Sequence, residues 1–229
     1  MRSALLAMAV VVATGLAACG GGETAKPLTL EQRVLRESDV PGSKTDPVEV
    51  RLTARNLDEF TAWQTMGNVA AAEIYRNKLK KAGFVSAIHD TRFIPKTPGG
   101  PHTRDAPHVR ILVIRFGSAD GAITGADLVY ANSLKPCPGE CLFQFEEFEP
   151  SGVPEARGSR RFITAKRIQE AGGGDVPIDF YTITFADGPF VYQVEGFGPP
   201  GKISKKQVEE IAQRVYDRVK GAPAPPAGT

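Results

Sequence analysis

The sequence predicts an α+β domain, a mainly antiparallel β-sheet packed against helices, on three observations. Residues 109–116 (Val-Arg-Ile-Leu-Val-Ile-Arg-Phe) are almost continuously apolar, as a central strand covered on both faces requires. Two apolar runs, Ile178–Phe185 and Phe190–Phe197, flank Asp187-Gly188, whose tolerance of positive φ suits a tight hairpin. Ser204-Lys205-Lys206-Gln207 forms a capping box, and behind it Val208, Ile211, Ala212, Val215 and Val219 recur at helical spacing on one face. Hairpins give antiparallel neighbours, and a one-sided helix needs a sheet to cover.

The remaining elements follow from the same signals. Thr29-Leu30-Glu31-Gln32 is the pattern of a capping box and predicts a short helix ending before Asp39-Val40-Pro41-Gly42. Pro47–Thr53 sets Val48, Val50 and Leu52 against Glu49 and Arg51, the alternation of a half-buried strand. Asn56 is a candidate N-cap for a long helical region, with Asp58 and Glu59 near the positive end of its dipole and Gly67 dividing it in two. In the second part Ala71, Ile74, Tyr75, Leu79 and Ala82 form one stripe, and Phe60, Trp63 and Met66 in the first read as core. Lys78, Lys80 and Lys81 suit a helix C-terminus, Gly83 the left-handed residue beyond it, and Phe84 the apolar contact that follows. Phe84–Ile94 reads as a strand. Ser118 caps a helix to about Leu134, and Leu142–Phe148 and Arg161–Ile168 read as strands, with Gly172-Gly173-Gly174 at a tip between strands. The order outlines a weak internal repeat of two β-β-α halves.

The N-terminus carries the clearest signal. Met1-Arg2 precedes an uncharged, largely apolar run to Ala18, and Leu16-Ala17-Ala18-Cys19 closes it, the layout of an export signal. The run is shorter than the roughly 20 apolar residues of a membrane span, and Gly20-Gly21-Gly22 follows it rather than a basic stop-transfer cluster. This tetrapeptide resembles the lipobox of bacterial lipoproteins. The resemblance implies a diacylglyceryl group on the Cys19 thiol and cleavage before it, with two acyl chains giving stable anchoring where one would be reversible. The expected organisation is therefore a signal peptide (1–18), a lipidated Cys19 with a flexible tether to Pro27, one α+β extracytoplasmic domain (28–220), and a disordered Pro/Ala-rich tail (221–229).

Removing the signal leaves 211 residues with 27 Lys and Arg against 26 Asp and Glu, a balance that argues against a nucleic-acid binder. Cys137 and Cys141 remain as an even pair around Pro138-Gly139-Glu140, whose turn brings two Cα atoms towards disulfide range. Outside the cytoplasm they are expected as a local disulfide, worth about 2 kcal/mol for so short a loop. A redox motif would have two intervening residues rather than three.

Little in the chain resembles a catalytic centre. Gly117-Ser118-Ala119-Asp120-Gly121 places its serine too early for a nucleophile elbow, and no Lys-Ser/Thr follows the glycines 172–174 to make a phosphate loop. Glu146, Glu147 and Glu149 read as solvated carboxylates. His102, Asp105 and His108 have the chemistry of metal ligands, but they sit in a long Pro- and Gly-containing connection and match no familiar ligand spacing. They are read as a solvated loop, with His89 in the strand before it; no metal or cofactor is expected, and no catalytic residue is assigned.

Several features together resemble actinobacterial cell-surface lipoproteins: the lipobox, Glu37-Ser38-Asp39-Val40-Pro41-Gly42, Lys80-Lys81-Ala82-Gly83-Phe84, and the hairpin Phe185–Val194. The resemblance implies a domain held on the outer side of the cell membrane and no agreed activity. Two functions fit: a non-enzymatic module binding a protein or cell-wall partner, or a carrier of a lipid or other apolar ligand in a cavity between sheet and helices, similar to mycobacterial lipid-carrier lipoproteins. An apolar pocket of several hundred Å3 separates the two.

Overall fold

Backbone pairing builds one eight-stranded sheet, entirely antiparallel, in a computed structural model that describes residues 27–48, 51–65, 69–97, 100–103, 106–134, 144–165 and 176–225. Its strands are β1 (Lys44–Thr45), β2 (Leu52–Ala54), β3 (Phe84–Phe93), β4 (His108–Phe116), β5 (Gln144–Phe148), β6 (Arg157–Ile163), β7 (Ile178–Asp187) and β8 (Phe190–Gly198). Their spatial order is β1-β3-β4-β8-β7-β6-β5, with β2 also on β3. Among the described residues the helices are α1 (Leu57–Thr65), α2 (Val69–Lys81), α3 (Ala119–Ser133) and α4 (Lys205–Val219). The chain has the expected α+β architecture.

The near-continuous apolar run of β4 is explained by its two covered faces. Val109, Ile111 and Val113 join Ile88, Ile183, Tyr192 and Val194 under α4, whose Val208, Ile211, Ala212, Val215 and Val219 are all buried. Leu112, Ile114 and Phe116 face the other way, with Ala87 and Val191, against Phe60 of α1, Tyr75 and Leu79 of α2, and Ala122 and Val129 of α3. The strand's period of two sends alternate side chains to the two layers. The capping box is complete: Ser204 Oγ accepts from Gln207 N and Gln207 Oε1 accepts from Ser204 N. Ser118 caps α3 by accepting from Gly121 N at 3.0 Å, and Asn56 Oδ1 accepts from Glu59 N at 2.9 Å. Gly83 follows α2 with φ +81°, and Gly188 turns the β7–β8 hairpin with φ +54°.

Several expectations are corrected. Residues 29–33 form turns rather than a helix; Arg33, Val34 and Leu35 are buried in succession, which one helix face cannot provide. The strand expected over Pro47–Thr53 shrinks to β2, and Val48 is 73% exposed. The Asp46 side chain takes the Val48 N–H at 2.7 Å, so the backbone turns there instead of pairing. Ile74, placed on the buried stripe of α2, is 60% exposed, whereas Tyr75, Leu79 and Ala82 are buried. The strand expected from Arg161 begins at Arg157. The tail is fastened as far as residue 225: Leu28 N donates to Pro223 O, Arg33 to Ala222 O and Pro223 O, and Arg115 to Pro225 O.

The two β-β-α units occur in chain order, but α3 and α4 lie on opposite faces of the sheet. A rotation exchanging the antiparallel neighbours β4 and β8 has its axis normal to the sheet and would leave both helices on one face. The units are therefore not copies related by such a rotation. Cys19, Gly67, Asp105, Cys137, Cys141 and the glycines 172–174 lie outside the described residues, as do the side chains of Trp63 and Met66.

Candidate functional site

The sheet face that carries α1, α2 and α3 is apolar only towards one end. Register lays two rows of side chains across its other end. One row runs Thr91, Arg110, Glu195, Thr182, Ser159, Glu147 along β3, β4, β8, β7, β6 and β5. The next runs Phe93, His108, Phe197, Phe180, Arg161, Phe145 along the same strands. A polar row thus lies beside an aromatic and basic one.

Glu195 anchors the polar row. Its carboxylate is buried and receives both Nε, at 2.7 Å, and Nη2 of Arg110. Arg161 Nη2 lies 3.9 Å away, and the Thr182 hydroxyl 3.4 Å. Burial pushes the Glu195 carboxyl up, but Arg110 and Arg161 outweigh it and hold the group below its ordinary value of 4.5. The site therefore stays ionised at neutral pH, with two guanidiniums around one carboxylate. Ser159 Oγ and Arg161 Nε are both buried and have no hydrogen-bond partner among the described residues. They sit two residues apart on β6, so both side chains belong to this face.

The aromatic row is stacked. His108 lies on Phe197 with centroids 5.2 Å apart, Phe197 on Phe180 at 5.3 Å, and the Arg161 guanidinium is 5.1 Å from the Phe180 ring centre. Its β3 end meets the connection between β3 and β4. There His102 packs edge-on against Phe93, and His102 Nε2 stands 3.2 Å from His108 Nε2. Asp46, buried beside β1, places Oδ2 at 3.0 Å from His108 Nε2 and 3.8 Å from His102 Nε2. The expectation of a solvated loop is corrected here: both imidazoles are largely covered, 25% and 14% exposed, and the carboxylate beside them is Asp46.

Of the three acidic residues near β5, all are exposed, and Glu147 accepts from the Tyr130 hydroxyl at 2.7 Å. Burial first, and Glu147 second, push that hydroxyl above its ordinary range. An open groove of about 570 Å3 lies alongside, lined by polar and charged groups such as Glu149, Glu155 and Arg157 as well as Phe148 and Val153. His89, on β3, contributes to the positive surroundings of Glu195.

The fold has a solved counterpart. The extracellular domain of PknH from Mycobacterium tuberculosis superposes with a TM-score of 0.51 at 12% identity, over 85% of this chain and 98% of that one. The likeness is one of fold. A protein from Bacteroides thetaiotaomicron aligns over 55% of this chain and 37% of its own, at 14% identity and a TM-score of 0.28, too low to bear on the argument. No protein-family model matches the chain, and no curated protein does.

Arg110, Glu195, Ser159 and Arg161 were not picked out from the sequence. Ser159 and Arg161 sit in a polar run that gives no signal, whereas for Arg110 and Glu195 the signal is a charged residue inside a run otherwise fit for the core, Arg110 next to Val109 and Glu195 after Val194. A charge there is held by a partner or by function.

Proposed function

We propose that the chain is a lipid-anchored, extracytoplasmic, non-enzymatic domain that binds a protein or cell-wall partner through the polar and aromatic rows of its sheet. The observation that carries this reading is the pair of buried, unpartnered polar atoms, Ser159 Oγ and Arg161 Nε, beside the Arg110–Glu195 ion pair. Buried polar atoms without partners are rare, and a ligand is a direct way to satisfy them. The net positive character of the two guanidiniums favours a partner bearing carboxylates, which protein surfaces and wall peptides both supply. Glu195, fixed as an ionised group by its arginines, serves orientation better than proton transfer near neutral pH.

The location rests on the lipobox at Cys19 and gains support from the fold shared with an extracellular domain. Among the described residues no helix is long and apolar enough to cross a membrane. Leu28 lies nine positions after Cys19, so a lipid on Cys19 would keep the domain within about 30 Å of the bilayer surface. The carrier reading has less to draw on. The layer between the sheet and α4 is filled by Val208, Ile211, Val215 and their neighbours, and the groove near Tyr130 is open and lined in part by Glu147, Glu149, Glu155 and Arg157.

The test is native mass spectrometry of the protein released from its own membrane in mild detergent, beside an Arg161→Ala variant. A non-covalent adduct present on the wild type and lost from the variant is expected. A bare wild type, or an adduct indifferent to Arg161, overturns the assignment, and a lipid adduct on both chains favours the carrier.

A further inference from the structure

We infer that Asp46, His102 and His108 form a binding site for a divalent first-row transition metal, Zn2+ among them, with one coordination position left for solvent or a bound molecule. The three facing atoms, Asp46 Oδ2 and the two Nε2 nitrogens, are 3.0, 3.2 and 3.8 Å apart. Ligands held tetrahedrally at Zn–N and Zn–O distances of about 2.0–2.1 Å are about 3.3 Å from one another, so the observed separations bracket the required value. Each group offers one ligand atom, and the three atoms lie close enough together to share one ion.

Proton accounting supports the same conclusion. A neutral imidazole carries either a hydrogen or a lone pair on Nε2. If the His108 Nε2–H donates to Asp46, the same hydrogen must also serve the Nε2 lone pair of His102. If His102 carries the hydrogen, the His108 lone pair faces the carboxylate. With both nitrogens protonated, two hydrogens oppose each other across 3.2 Å. No tautomer pair gives each contact its own proton, whereas a single cation satisfies all three lone pairs at once.

The supporting shell is already in place. Asp46 Oδ1 accepts from Val48 N at 2.7 Å, which turns Oδ2 towards the imidazoles, and Asp46 N donates to Thr91 O at 3.1 Å, tying the residue to β3. Phe93 holds the His102 ring from the edge, and Phe197 holds the His108 ring from its face. Such orienting contacts are what outer-shell groups supply at metal sites. His102 is a quarter exposed, which leaves an approach for the ion and for a fourth ligand. The sequence conceals the set because Asp46 is 56 residues from His102 and reaches it through the pairing of β1 with β3.

The experiment is calorimetric titration of Zn2+ into the full chain after chelator treatment, with the melting temperature recorded with and without Zn2+. The same titration with Co2+ reads the visible ligand-field bands of a four-coordinate ion. Saturable binding of one ion per chain is expected, with a raised melting temperature and tetrahedral Co2+ bands. His102→Gln, on the partly exposed member, should weaken binding by roughly 10–100-fold or more and leave the metal-free melting temperature unchanged. Asp46→Asn should weaken it as well. A flat titration at micromolar metal overturns the site, and so does binding that survives in the His102→Gln, His108→Gln double variant. None of these readouts involves Arg161 or a partner, so the metal site and the proposed binding function fail independently.

Discussion

Glu195 shows how much one residue can reveal about a sheet. A carboxylate in the middle of a covered strand costs several kcal/mol of desolvation, and the ion pair with Arg110 offsets that cost only while both partners are present. Glu195→Gln should therefore destabilise the fold by about 3–5 kcal/mol at pH 7, since it strands Arg110 and Arg161 around a neutral group. The pH dependence has a fixed sign. The folded protein holds the carboxyl below its ordinary value of 4.5, so its contribution is complete above that pH and is lost as pH falls through the lowered value. Urea unfolding of wild type and variant at pH 7 and at pH 3 checks this: the difference between them should shrink in acid. A difference that is flat with pH would show that Glu195 does not draw its ionised form from the arginines.

At the scale of elements, legibility in the sequence depended on whether local pattern and tertiary burial agreed. In α4 they agreed, so the capping box and all five buried residues were readable in advance. In β1, two residues long, there is no period to read, and in Pro47–Thr53 the alternation of residue types is not matched by burial, since Val48 and Leu52 are both exposed. The same conflict between local and tertiary terms fixes α3 at Gly125. A glycine inside a helix costs about 1 kcal/mol relative to alanine, so propensity alone favours Gly125→Ala. Yet a Cβ at that position would fall well inside contact distance of the Phe116 ring, which is itself fully buried in β4. Overpacking of this kind costs about 1–3 kcal/mol, enough to reverse the propensity gain. Gly125→Ala should lower the denaturation midpoint with an unchanged m-value, and a raised midpoint would mean that α3 can lift from the sheet without penalty.

At the scale of the whole molecule, the sequence shows some parts of the candidate site, the two histidines above all, but not their meeting. The sequence singles out His102 and His108, places Arg110 and Glu195 within strands, and gives Asp46 no role, between the turn at Asp39–Gly42 and the strand predicted from Pro47. What joins them is the strand order, a long-range property that no local period encodes. The chain ends show the same dependence. Composition reads residues 221–229 as a tail, but Arg33, fully buried, donates to Tyr192 Oη at 2.6 Å, to Leu28 O at 3.2 Å and to the carbonyls of Ala222 and Pro223. Its guanidinium also lies 3.8 Å from the Phe190 ring centre. The residues following the tether and those following α4 are thus clasped to the start of the central strand β8. A chain ending at Lys220 would keep every strand and helix described here and lose the acceptors from Ala222, Pro223 and Pro225. Each charge-assisted bond is worth about 1.5–3 kcal/mol, with part recovered from water, so a loss of about 3 kcal/mol is expected. For a domain of this size that lowers the melting temperature by roughly 6–12 °C. A chain ending at Pro225 should melt with the full-length protein. Equal melting of all three would mean that Arg33 finds its acceptors in solvent and that the clasp contributes nothing to the fold.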